Sequence, residues 1–156
     1  MQSFSSLFTS FTGRINRARW WAGTSILFVA SLIGMVLLDP TVLDVEKELS
    51  PVPDWKDTAF QLALVIPGTA VTVKRFNDRD RPYWLGFVIG GFGALLTLAP
   101  HFGLLIPGQH WTIPELAAIF VLWPAFLFAF VDNGLLLGTS GPNRYGPDPL
   151  AKEAHP

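Results

Sequence analysis

Cysteine is absent from this 156-residue chain, which excludes disulfides, thiolate metal sites and thiol nucleophiles. Charge is scarce as well. Asp, Glu, Lys and Arg supply 15% of the residues while 50% are hydrophobic, whereas an ordinary soluble domain carries about 25% charged residues. Together with a mean hydropathy of +0.39, the deficit points to an integral membrane protein. Catalytic signatures are missing too. The chain has no Ser-His-Asp order, His-Glu-x-x-His pair, P-loop or dinucleotide fingerprint. The glycines of GFVIGGFG sit inside an apolar run and make no phosphate loop, and His101, His110 and Glu115 match no zinc spacing. No enzymatic activity, cofactor or metal is therefore expected. A cleaved signal peptide is not expected either. No basic residue precedes Arg14, and Asp39-Pro40 follows the first apolar run where a small-residue cleavage site would stand.

What the chain does have is a charged knot, KRFNDRDRPY, from Lys74 to Tyr83, set between apolar runs. Such a knot fits the cytoplasmic face of a membrane protein, between two spans. The expected fold is all-α: one polytopic membrane domain of four transmembrane helices, over about 20–38, 55–73, 84–106 and 115–134. An N-terminal interfacial helix over 3–15 and a cytoplasmic cap complete it. Phe4, Leu7, Phe8, Phe11 and Ile15 recur at helical spacing opposite Ser and Thr, the pattern of an amphipathic helix in the membrane interface. Gly13 is expected to break it and Asn16 to cap the next helix. Ala22–Leu38 holds no charge and follows the basic-aromatic anchor of Arg14, Arg17, Arg19, Trp20 and Trp21.

An acidic stretch follows, with a helical turn expected over Val42–Leu49. The second span is expected to start at Trp55 and to kink at Pro67. The third carries Gly86, Gly90 and Gly93, a face that admits a neighbour closely and suggests the centre of the bundle. Pro100-His101 should interrupt its far end, and Glu115 should start the last helix, where the helix dipole favours an acid. The tail, 138–156, is rich in Gly and Pro and reads as irregular. Basic residues concentrate before the first span, in the knot and in the tail (Arg144, Lys152), against Lys47 and Lys56 on the acidic side. The positive-inside rule then puts both termini and the knot in the cytoplasm, and that agreement needs an even number of spans.

Arg14, Arg17, Arg75, Asn77, Asp78, Arg79 and Arg81 are the candidate cap residues for anionic lipid or a partner. The plainer reading is that the basic ones only set topology. Asp78 is expected to tie Arg14 or Arg17 to the knot, and Asn77-Asp78 to bond the backbone of a turn. Asp132, near hydrocarbon depth, is a candidate proton or cation site; its plainer reading is a salt bridge to Arg75 or Arg14, or simple exposure at the helix end.

Three stretches taken together, FTGRINRARWW, VKRFNDRDRPYW and GPNRYGPDPL, resemble domain-of-unknown-function family 805, small bacterial inner-membrane proteins. The resemblance runs from about Phe8 to Leu150. It places Gly13, Arg14, Arg17, Trp21, Arg75, Asp78, Trp84, Gly141, Asn143, Tyr145, Gly146 and Pro149 on signature positions. Asn77 stands where many members have histidine, and Pro82-Tyr83 where many have Ser-Gly, which weakens any catalytic or metal role for the knot. The resemblance implies a multi-pass protein of the inner membrane and supplies no activity. All three stretches fall on the side read as cytoplasmic, so we expect one cap. Arg14, Arg75 and Asp78 would form a salt-bridge network there, closed by the Asn143-Tyr145 turn.

The function expected is that of a non-enzymatic interaction or accessory protein whose basic cap binds anionic lipid headgroups or a partner complex. Copies of itself or a larger membrane complex are the expected protein partners. Nucleic acid is not expected, because the basic patch is short and balanced by acids. The alternative is a small oligomeric transporter or channel.

Overall fold

The computed structural model describes residues 3–44, 52–106 and 110–151. It is helical, with no strand among the described residues. Helix α1 covers Phe4–Thr9, α2 Arg17–Leu38, α3 Trp55–Asp78, α4 Trp84–Leu98 and α5 Ile113–Phe130. Short 3-10 turns follow α2 (Pro40–Leu43) and α4 (Ala99–Phe102), and a π turn, Val131–Leu135, ends α5. The turn expected over Val42–Leu49 lies mostly outside the described residues, as does the tail beyond Ala151.

Among the described residues three stretches are long and apolar enough to cross a membrane: Arg17–Leu38, Trp84–Phe102 and Ile113–Leu135. At 24 residues α3 is as long as any of them, but Lys56, Asp57, Gln61, Lys74, Arg75 and Asp78 make it more polar. It is nevertheless the central element. Thr69–Val71 and Val73–Asp78 are buried, between α2 on one side and α4 on the other. The centre expected at the third span is thus corrected. Glycines do let helices approach, but they serve α3: a Cβ at Gly86 would collide with Val73, one at Gly90 with Thr69, and one at Gly34 with Phe60. Gly91 and Gly93 face open space. A small residue permits a close neighbour; it does not make its own helix the most surrounded one.

Two boundaries also differ from expectation. The knot is not simply a connection, because α3 continues through Lys74–Asp78 and ends at Arg79. Asn77 and Asp78 therefore sit in a helical last turn, and their side chains are released for contacts elsewhere. At the N-terminus the amphipathic helix stops at Thr9, with Ser3 accepting from Ser6 N as its cap. Gly13 takes φ +87°, the left-handed region that glycine enters without strain. The chain then turns so that Leu7 and Ile15 pack with Trp20 and Val71 in one apolar cluster. The apolar spacing marked the inward residues, and they dock on α3. Asn16 caps α2 as expected, accepting from Arg19 N at 2.9 Å.

α5 stands apart. Its π turn packs on α2 and α3, while its middle leaves Phe120, Val121, Trp123 and Leu127 exposed. At its other end Glu115 reaches back to accept from Thr112 N at 2.6 Å and Leu105 N at 2.5 Å.

Candidate functional site

Arg75 and Lys74 are among the largest fully buried side chains, an unusual core for a chain half apolar. Buried charge is costly unless it is paired and hydrogen-bonded, so the partners decide the case. The Asp78 carboxylate accepts from Arg14 Nε at 3.1 Å and from Arg75 Nη1, all three side chains being at most 3% exposed. The network expected among Arg14, Arg75 and Asp78 is formed. Arg17 takes no part in it and donates instead to Leu135 O at 2.9 Å.

The remaining guanidinium N–H groups point at backbone carbonyls of the chain leaving α5. Arg75 donates to Asn133 O at 2.7 Å and Leu136 O at 2.5 Å, and Arg79 to Leu137 O. Arg14 donates to Thr139 O at 2.7 Å, Gly141 O at 2.8 Å and Gly146 O at 3.2 Å. The last carbonyls of a helix lack intrahelical donors and carry the negative end of its dipole. Here arginines from two other segments supply the donors. A descending series of carbonyls, from Asn133 to Gly146, is thereby held to residues 14–79.

The tail closes on the end of α3. Thr139 N donates to Asp78 O at 2.9 Å, and Asn143 Nδ2 to Asn77 O at 2.9 Å. Asn143 Oδ1 accepts from Tyr145 N at 2.9 Å, and Asn143 and Gly146 exchange both backbone bonds. This is the Asn143-Tyr145 turn, formed where expected. Gly138 lies so close that a Cβ would overlap the Asp78 carboxylate. Asn77 Nδ2 donates back to Gly13 O at 3.0 Å, joining the N-terminal segment to the same point. Lys74 adds a second tie, its Nζ donating to Ser6 O and Leu7 O at 2.6 Å each. Those carbonyls belong to the last turn of α1, the end that favours a cation. Asp148 accepts from Gly141 N and Leu150 N at 2.9 Å each, and these two backbone donors hold its carboxyl below the usual carboxylate range.

Asp132 is 2% exposed, and its partners are Arg79 at 3.4 Å and Arg81 at 3.3 Å. A salt bridge was the plainer expectation, but Arg75 and Arg14 were the wrong arginines, since both are directed at Asp78 and the tail. Arg81 and Arg144 form the outer rim, with side chains 47% and 56% exposed. Arg144 pairs with the half-exposed Asp80 at 3.1 Å and lies over the Tyr145 ring. Tyr83 and Trp84 are exposed beside Arg81 in the chain.

Lys74, Gly138, Thr139 and Asp148 escaped the sequence reading as site residues. Lys74 had a signal, a cation one turn inside an apolar helix end; the other three had none short of the folded tail. Among the described residues no group of three or more His, Asp or Glu side chains is placed to hold a metal. His101 is turned to Trp55 and Thr58.

A family model described as "Protein of unknown function (DUF805)" matches residues 8–147. The chain is similar to an uncharacterized protein, YiiR, of Escherichia coli strain K12, and to its counterpart in Escherichia coli O157:H7. Each is 29% identical over 140 residues, covering 89% of this chain and 85% of the relative. No solved structure matches it.

Proposed function

We propose, from the premise that this chain belongs to the DUF805 family of proteins of unknown function, that it is a non-enzymatic bacterial inner-membrane protein acting through contacts at its basic end. In this reading α3 crosses the membrane as the fourth span, over about Trp55–Val73. The arginine-rich end and both termini are cytoplasmic, because the basic residues gather there. One observation carries the reading: the basic side chains divide into two sets. Arg14, Lys74 and Arg75 are buried and directed at the protein's own carbonyls and Asp78. Arg81 and Arg144 remain exposed, with Tyr83 and Trp84 in the nearby chain, the composition of a headgroup-level rim. The inner set builds a rigid cap, and the outer set meets anionic lipid headgroups or an acidic partner surface.

The test is extraction in native lipid particles followed by native mass spectrometry, comparing the natural chain with Arg81→Ala/Arg144→Ala. At about 1 kcal/mol for each basic residue near an anionic surface, the double variant should bind anionic lipid roughly thirtyfold more weakly. A stoichiometric larger complex lost in the variant would make the protein an accessory subunit. Unchanged lipid and unchanged partners would remove the reading. A second reading, a small oligomeric transporter, draws on a cavity of about 670 Å³ at the opposite end, lined by Asp39, Asp54, Asp57 and Gln61. Flux in proteoliposomes sensitive to Asp57→Asn would favour it.

A further inference from the structure

The end of the bundle away from the arginines is held by very different chemistry. The 3-10 turn Ala99–Phe102 carries His101, whose ring stacks on Trp55 with centroids 3.8 Å apart and planes 13° from parallel. His101 Nε2 lies 2.6 Å from Thr58 Oγ1. Trp55 and Thr58 are in the first turn of α3, so one imidazole joins the start of α3 to the end of α4. Thr58 is buried, while Trp55 lies at the surface of the bundle.

We propose that His101, Trp55 and Thr58 form a proton-operated latch, which tightens the junction between α3 and the turn after α4 when His101 is protonated. A neutral imidazole parallel to an indole gains only stacking. An imidazolium in the same place faces the negative π-surface of the indole and gains a cation–π attraction. The hydrogen bond survives the change, because Nε2–H then donates to the Thr58 hydroxyl.

The charged groups on the elements around His101 are mostly acidic. Asp54 and Asp57 flank Trp55 in sequence and line, with Thr58 and Pro100, the cavity of about 670 Å³; Asp39 lines it from the end of α2. Asp57 Oδ1 is buried with no hydrogen-bond donor among the described residues. Lys56 is exposed and is the opposing charge at the start of α3. On α5, Glu115 is engaged with Thr112 and Leu105. The latch is tight while the imidazole carries its second proton and slackens when that proton leaves. Thr58 and Pro100 belong both to the latch region and to the cavity wall, so the state of His101 sets how firmly that wall is held.

The test is NMR on the full chain in lipid nanodiscs between roughly pH 5 and 8. The Trp55 indole N–H is assigned with Trp55→Phe and the His101 ring with His101→Gln. Both signals should move with one midpoint. Amide exchange at Gly103 and Leu104, which donate to Pro100 O and Ala99 O, should slow several-fold in acid after correction for intrinsic rates. His101→Gln keeps a side chain that can bond Thr58 but cannot charge. It should leave the Trp55 signal and the exchange rates constant across that range. A Trp55 signal indifferent to pH, a titration that survives His101→Gln, or exchange rates that do not follow the midpoint would overturn the proposal.

Discussion

The two halves of α3 are built on opposite terms. From Trp55 to Gly68 the helix shows much of its surface, and its main polar links are single bonds such as Ser31 Oγ to Gln61 Oε1 at 2.9 Å and Thr58 to His101. From Thr69 to Asp78 it is almost wholly enclosed, and its last turn is enclosed by charge. The difference shows that depth of burial in this protein tracks polar connectivity. In a membrane, apolar side chains gain little by leaving lipid for one another, so hydrogen bonds and close backbone contact decide which helix end is surrounded.

The sharpest way to break the contrast is to remove its hub. Asp78→Ala leaves Arg14 and Arg75 buried without a counter-charge, and loss of one partner of such a pair costs about 3–5 kcal/mol. Unfolding in mild detergent should show the loss, and limited proteolysis should cut the tail near Thr139. An Arg75→Ala protein with undiminished stability would show that the network is ornamental. Next comes Gly138→Ala, whose new methyl would collide with the Asp78 carboxylate. Overpacking of this kind costs about 1–3 kcal/mol, whereas Gly93→Ala, which meets open space, should stay within about 0.5 kcal/mol of the parent. The same denaturation series ranks the pair.

At the sparse end, Thr58→Val keeps the side-chain shape and removes one hydrogen bond, for about 1 kcal/mol. Equal losses for Thr58→Val and Asp78→Ala would abolish the comparison. The smallest effect is local and depends on pH. The Asp148 carboxyl is held below its ordinary range, so its contribution to tail order is complete above the carboxylate's unfolded value and fades as pH falls through the folded one. Below about pH 4, amide exchange at Gly141 and Leu150 should quicken, while Thr139, bonded to Asp78 O, stays protected.

The helices were largely legible in the sequence, and so was part of the site. Asn16 before an apolar run, Pro100-His101 as an interruption and Glu115 as a first-turn acid all rest on local rules, and local rules held. The pairing of Asp78 with Arg14 was also readable, because few acids stand near so many cations. The choice of arginine for Asp132 was not. Arg75 and Arg79 lie one helical turn apart, and which of them reaches Asp132 depends on where the π turn delivers that carboxylate. Nor could the role of Lys74 be read: its acceptors are backbone carbonyls of Ser6 and Leu7, and every residue type supplies those. The extent of α3 was misjudged for a related reason. A run of charges suggests a solvated loop unless partners far along the chain are waiting for them.

The bonds from Arg14 and Arg75 to carbonyls between Asn133 and Gly146 also have a bearing on time. A ribosome makes residue 14 well before residue 146, so Arg14 waits through the synthesis of all the helices for the acceptors it finally uses. Earlier helices can insert, but the clasp cannot close until the closing stretch of the chain has emerged. A product cut short before Thr139 would keep Asp78 as a counter-charge but leave Arg14 without its Thr139, Gly141 and Gly146 carbonyl acceptors. Such a chain differs chemically from the folded one, because guanidinium donors that the clasp covers stay open in it.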